Sequence, residues 1–186
     1  MIYIISGTSR SGKTLIAKKL MEQKNIPYLS LDWLVMGFTN GIPEYGIDDK
    51  LWPDEIAEKL WDYLKAMLES IIWSESDIVI EGEAVLPELI IDFLKKHPSL
   101  IRVCFLGYAR VSVPQKVKEV YEYHRDKKDW LTKEPKQYVE DHIRNMVEYS
   151  KRIEKTCGQY GLSYFDTSKN FTQVLDQAME YLLNEK

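Results

Sequence analysis

The stretch GTSRSGKT, residues 7–14, sets a glycine, four intervening residues and then Gly-Lys-Thr. Immediately before it, Ile2–Ser6 is a short β-branched and aromatic run that predicts a buried strand. Immediately after it, Lys13–Gln23 carries Leu15, Ile16 and Leu20 at helical spacing. A strand that gives way to a glycine loop and then a helix aims successive backbone N–H groups, and the positive end of the helix dipole, at one spot. The glycines let an anion approach the backbone without a Cβ in the way. In that setting Lys13 is expected to neutralise β- and γ-phosphates, and the Thr14 hydroxyl to hold Mg²⁺. The expected phosphate-binding set is Gly7, Thr8, Ser9, Arg10, Ser11, Gly12, Lys13 and Thr14, with Arg10 facing either phosphate or solvent.

The rest of the chain alternates in the same way. Tyr28–Leu31 predicts a second strand ending at Asp32, followed by a loop from Gly37 to Asp49 that holds three glycines and Pro43. Pro53 opens a helix with Asp54 and Glu55 in its first turn and an apolar face of Ile56, Leu60, Leu64, Met67 and Leu68. Ile78–Ile80 predicts a third strand ending at Glu81-Gly82, and Pro87 opens a helix to about Lys96. Arg102–Leu106 predicts a fourth strand, and a helix from near Val113 runs into the charged stretch Tyr121–Trp130. Pro135 opens a longer helix, Tyr164–Phe165 predicts a fifth strand, and Thr172–Leu183 a closing helix. Short apolar strands between helices imply a parallel sheet covered on both faces.

The bulk composition sets limits. The chain has 186 residues, 45% hydrophobic and 29% charged, as expected of one soluble globular domain over residues 1–186. A net charge of −4 gives no general attraction to nucleic acid or an anionic membrane. No apolar run approaches the ~20 residues of a membrane helix. Met1–Ile5 lacks a basic stretch and soon reaches the glycine loop, so it does not read as a signal peptide. Cys104 and Cys157 lie far apart in apolar surroundings and read as buried free thiols of a cytoplasmic protein. His97, His124 and His142 show no metal-ligand spacing.

With no DxxG or NKxD pattern, the chain lacks the GTPase motifs. Four stretches carry a wider resemblance: GTSRSGKT, LSLDW at Leu29–Trp33, IVIEG at Ile78–Gly82, and the tail from Asp129-Trp130 through YSKRIEKTCGQYGLSYFDTS. With them the layout resembles the small P-loop kinases: adenylate, shikimate and gluconate kinases and antibiotic phosphotransferases. It looks closest to uncharacterised bacterial ATP-binding proteins of adenylate-kinase type. The resemblance implies a three-layer α/β P-loop NTPase fold, with a five-stranded parallel sheet and helices on both faces. It also implies ATP and Mg²⁺ as cofactors, an acceptor-binding region over about residues 33–73 and a short lid over about residues 121–134.

The resemblance also suggests roles for single residues. Asp32 would accept the acceptor's hydroxyl proton or hold Mg²⁺ through water, the alternative being a helix N-cap. Trp33 would wall the acceptor pocket or sit in the core. Glu81 stands where such kinases usually have Asp; Mg²⁺ would be held by Thr14 with Asp32, Glu81 or both, the alternative being that Glu81 binds the acceptor. Glu83 is a weaker candidate that would otherwise be solvated. Arg125, within a stretch that also holds His124, Lys127 and Lys128, would be the lid cation. Arg144 and Lys151 share a helix face, with Arg152 about 80° around, so Arg144 or Arg152 would reach the phosphates, or all would form a wet face with Glu148 and Glu154. Thr167 and Ser168, after the fifth strand, would lie beside the adenine.

No arginine occurs between Arg10 and Arg102. Nucleoside monophosphate kinases clamp their acceptor phosphate with arginines in that region. The expected acceptor is therefore a neutral or cationic hydroxyl compound. Two functions remain: an ATP-dependent phosphotransferase acting on a small-molecule hydroxyl, and a nucleotide-binding regulatory protein with little or no kinase activity. An enzyme of nucleic-acid ends is disfavoured by the acidic balance. The oligomeric state leaves no mark on the sequence.

Overall fold

A computed structural model describes residues 1–123 and 129–184. The strands are β1 (Ile2–Gly7), β2 (Tyr28–Ser30), β3 (Ile78–Glu81), β4 (Ile101–Gly107) and β5 (Tyr164–Asp166). The helices are α1 (Lys13–Lys24), α2 (Leu31–Gly41), α3 (Pro53–Trp73), α4 (Pro87–Lys96), α5 (Val113–Glu122), α6 (Lys136–Tyr160) and α7 (Phe171–Leu183). The strands form one sheet in the order β2-β3-β1-β4-β5, with every pairing parallel. This is the α/β architecture expected from the strand–helix alternation.

The two faces follow from strand periodicity. Ile4, Val103 and Phe105 point to one side, where α2, α3, α4 and α6 bury Leu31, Leu60, Leu64, Ile90 and Ile153 against them. Ile5, Cys104 and Leu106 point to the other, under Ile16, Leu20, Leu175 and Leu182 of α1 and α7. A third cluster, including Val117, Val120, Leu131, Val139 and Ile143, packs α5 against the first half of α6. Both cysteines are free and buried, and burial pushes their thiols well above the usual range.

One expectation needs correction. Residues 37–41 are not loop: α2 runs unbroken to Gly41, and a single 3-10 turn follows over Pro43–Tyr45. Leu31, Val35 and Phe38 form the buried stripe of this helix, and their packing outweighs the ~1 kcal/mol a mid-helix glycine costs. Gly37 lies on the open side, where an added Cβ would meet nothing within 4 Å. As a result β2 passes into α2 with no intervening loop. Ser30 is the N-cap position, and Asp32 lies in the first turn.

The described residues contain no helix long and apolar enough to cross a membrane.

Candidate active site

At the C-terminal edge of a parallel sheet, ligands have access to helix N-termini and loop N–H groups. Here β1 ends at Gly7 and α1 starts at Lys13, so residues 8–12 form the loop across that edge. Gly7 has φ +116, and a Cβ there would lie 2.0 Å from the Leu106 carbonyl oxygen. The glycine is required first by the neighbouring strand β4 and only second by any ligand. Gly7→Ala is expected to cost about 2–4 kcal/mol of stability, read as a lowered midpoint in urea denaturation.

The loop is held from three sides. Thr8 donates its N–H to the Leu106 carbonyl at 2.9 Å, and its hydroxyl shares a 2.7 Å hydrogen bond with Ser150 of α6. The Thr8 side chain therefore faces α6. Arg10, at φ +59, makes a two-pronged pair with Asp129 at 2.8 and 2.6 Å. Lys116 of α5 sits almost fully buried, with Nζ 3.4 Å from the Arg10 carbonyl, 3.5 Å from Glu119 and 4.1 Å from the Tyr108 ring centre. Its pKa is lowered by that burial, with Glu119 opposing the shift.

Arg10 also holds the Asp129 carboxyl below the ordinary aspartate range. The stabilisation from this pair is complete above the unfolded-state pKa of ~4 and is lost as pH falls through the lowered folded value. Arg10→Gln is expected to cost about 1–2 kcal/mol at neutral pH and to flatten the acid limb of the stability profile, as followed by circular dichroism.

The cradle suits phosphate and Mg²⁺. Lys13 is folded over the loop, donating to the Thr8 carbonyl at 2.7 Å, with its Nζ 4.0 Å from Glu83. The buried Ser11 hydroxyl has no hydrogen-bond partner among the described residues. A buried polar group without a partner is costly unless a ligand meets it. Thr14 donates to Glu81 at 3.1 Å, and Glu81 is buried at the end of β3. This hydroxyl–carboxylate pair is what a Mg²⁺ site beside a phosphate loop requires. Among the described residues no group of three or more His, Cys, Asp or Glu side chains forms a metal cage. The other Mg²⁺ ligands would come from phosphate and water, as this cation prefers.

Two clefts flank the loop, and Trp130 borders both. The first, ≈ 980 Å³, runs from Arg10, Gly12, Lys13 and Thr14 to residues 167–172, roofed by Lys116 and Tyr123. Thr167 and Ser168 both line it. Their hydroxyls are already engaged, Thr167 donating to the Gly107 carbonyl at 3.0 Å and Ser168 accepting from the Arg110 N–H at 3.1 Å.

The second cleft, ≈ 590 Å³, brings Ser9, Asp32 and Glu83 together with Asp49, Lys50, Trp52 and Tyr138. Ser9, the second residue of the loop, borders the cleft beside Glu83. Burial, with Asp32 adding to it, raises the Glu83 pKa, while Lys13 and Ser9 oppose the rise. Asp32 is exposed to this cleft. Trp33 is largely solvent-exposed and meets the Tyr28 ring at a tilt, with centroids 5.7 Å apart, rather than lining the cleft.

The helical arginines stand elsewhere. Tyr138, His142 and Met146 are the α6 residues that face the second cleft. Arg144 is two residues, or ~200°, from His142 on the helix and faces away. It pairs with Asp141 at 2.5 Å. Arg152 reaches Asp54 of α3 at 2.9 Å, with its guanidinium over Tyr149. Lys151 pairs with Glu148. Neither Arg144 nor Arg152 lines either cleft; among the described residues the buried cation beside the loop, apart from Lys13, is Lys116, which carries no motif in the sequence. Arg125, His124, Lys127 and Lys128 lie outside the described residues.

No family model matches the chain. A chain named "Putative adenylate kinase" from Saccharolobus islandicus is 36% identical over 108 residues, covering 53% of this chain and 50% of that one. The match thus spans about half the length of that relative. Among solved structures, a shikimate kinase from Bacteroides thetaiotaomicron aligns over 98% of both chains with a TM-score of 0.57 and 16% identity. A gluconokinase from Sinorhizobium meliloti aligns over 97% of this chain and 90% of its own, with a TM-score of 0.57 and 18% identity. At these identities the likeness is one of fold. The protein has the P-loop kinase fold, with its phosphate loop, Thr14–Glu81 pair and two clefts at the C-terminal edge of the sheet.

Proposed function

We propose that this protein is an ATP-dependent phosphotransferase that moves the γ-phosphoryl group to a hydroxyl of a small molecule. The observation that carries the reading is the position of Lys13. It lies between two clefts, one suited to a nucleotide and one holding carboxylates beside the loop. In this reading the first cleft takes the nucleotide, with residues 167–172 beside the base. Lys13, the loop N–H groups and Lys116 neutralise the phosphates. Thr14 and Glu81 would hold Mg²⁺, with Asp32 as a further ligand candidate; when bound, the ion would offset charge on the phosphates.

The acceptor lies in the second cleft. Its hydroxyl oxygen attacks the γ-phosphorus, the bond to the ADP oxygen breaks, and Asp32 takes the hydroxyl proton. Arg125 is the proposed lid cation. Arg144 and Arg152 would have to leave Asp141 and Asp54 to contribute. The chain acts as a single cytoplasmic domain without a nucleic-acid or membrane partner.

The most informative experiment is ADP release across a library of hydroxylated metabolites. Acceptor-dependent release well above background is expected. Tight nucleotide binding with no acceptor-dependent release would favour a regulatory nucleotide-binding role.

A further inference from the structure

The second cleft has an unusual chemical balance. Three carboxylates line it: Asp32, Asp49 and Glu83. Lys50 is the one lysine, and no arginine appears among its described lining residues. Its walls also carry Trp52, Trp130 and Tyr138, which are 50%, 53% and 48% exposed. Large rings left open on the wall of a cleft, with anions beside them, suit a cation. The hydrophobic part of such a ligand would lie along Val35, Leu51 and Met146.

A second observation points the same way. An ammonium group already stands near Glu83, the Nζ of Lys13 at 4.0 Å. That contact exists while Lys13 is folded onto the Thr8 carbonyl. Once a polyphosphate occupies the loop, Lys13 turns to it, because phosphate carries more negative charge than one half-buried carboxylate. Glu83 then faces the cleft beside Asp32 without its counter-ion. Burial and Asp32 then push Glu83 toward its neutral form, and a ligand cation arriving in the place of Lys13 would keep it ionised.

We infer that the acceptor is an alcohol bearing an ammonium group, and that its cation takes the position Lys13 leaves at Glu83 when nucleotide binds. This rests on the phosphotransferase reading of the same site. It adds the charge class of the acceptor and an order of binding, nucleotide first. The reaction itself is unchanged: the hydroxyl is phosphorylated and the ammonium group is only held.

The test uses the full chain and tryptophan fluorescence with calorimetry. The probes are choline, ethanolamine and 3,3-dimethylbutan-1-ol, the last being the uncharged counterpart of choline. Each is titrated with and without a non-hydrolysable ATP analogue and Mg²⁺. The analogue is expected to tighten choline or ethanolamine binding on the order of 10-fold, and to leave the neutral alcohol unchanged. Glu83→Gln should erase that gain while holding nucleotide affinity within about 3-fold. Lys13→Met should bind the ammonium probes tightly without any nucleotide.

Equal binding of the neutral alcohol, or no effect of nucleotide on the wild type, would overturn the inference. So would weak ammonium binding by a folded Lys13→Met protein. The two readings fail separately. Nucleotide-dependent phosphorylation of neutral alcohols alone would retain the phosphotransferase and remove the cation site. Nucleotide-linked ammonium binding, with no phosphoryl transfer to any of a panel of amino alcohols and amino sugars, would do the reverse.

Discussion

Lys13→Ala is expected to weaken ATP binding on the order of 100-fold or more, with AMP binding changed far less. The lysine is the one side chain in the loop that joins its two ends, donating across it to Thr8 at 2.7 Å. It also spans the two clefts, since it lines the first and lies 4.0 Å from Glu83 of the second. Removing it deletes the charge that offsets the terminal phosphates. The backbone N–H groups and the helix N-terminus remain. The discrimination between ATP and AMP therefore separates loss of this cation from general collapse of the loop. Calorimetric titration of both nucleotides measures it, and equal losses for the two would refute the assignment. The fold should tolerate the change. Lys13 is buried, and shedding an ammonium from a site without a full ion pair costs little stability.

The second large effect is expected for Asp32→Asn. Nucleotide affinity should stay within a few-fold, while phosphoryl transfer falls on the order of 10³-fold. Asp32 lines the acceptor cleft and not the nucleotide cleft. It lies in the first turn of α2. Asparagine keeps the shape but accepts no proton. Single-turnover kinetics with saturating ATP are the right measurement. An unchanged rate would remove Asp32 as proton acceptor.

The sequence was most legible where a ligand's demands and the local backbone's demands coincide. Residues 7–14 combine a strand end, a glycine turn and a helix start within eight positions, so their pattern alone specified a phosphate cradle. Asp32 and Glu81 were legible for a similar reason, because short apolar runs mark strand ends and ligands gather there. The course of residues 37–41 was less legible. Gly37 and Gly41 suggested a loop, but the stripe of Leu31, Val35 and Phe38 continues α2 through them. Such a glycine is tolerated wherever its own face of the helix is open.

Lys116 left no local signal, and Asp129 was legible only as part of the resembling tail, not as the partner of Arg10. Lys116 is 106 residues from Arg10 in sequence, and Asp129 is 119. They reach the loop because Val117, Val120, Val139 and Ile143 pack α5 onto α6, with Lys116 and Asp129 beside Arg10. Glu83 read as a weaker site candidate, with a solvated charge as the alternative. It became part of the site through Gly82, whose φ of +156 and contact with Leu31 turn the backbone after β3 and set Glu83 near Ser9 and Lys13.

By itself, then, the sequence determined the sheet, the phosphate loop and the chemistry of the residues at its edge, because those depend on neighbours a few positions apart. Only the tertiary structure decided which charges surround that loop. A buried ion pair or an open cleft is made by residues that strand order and helix packing bring together, and no local pattern records the meeting.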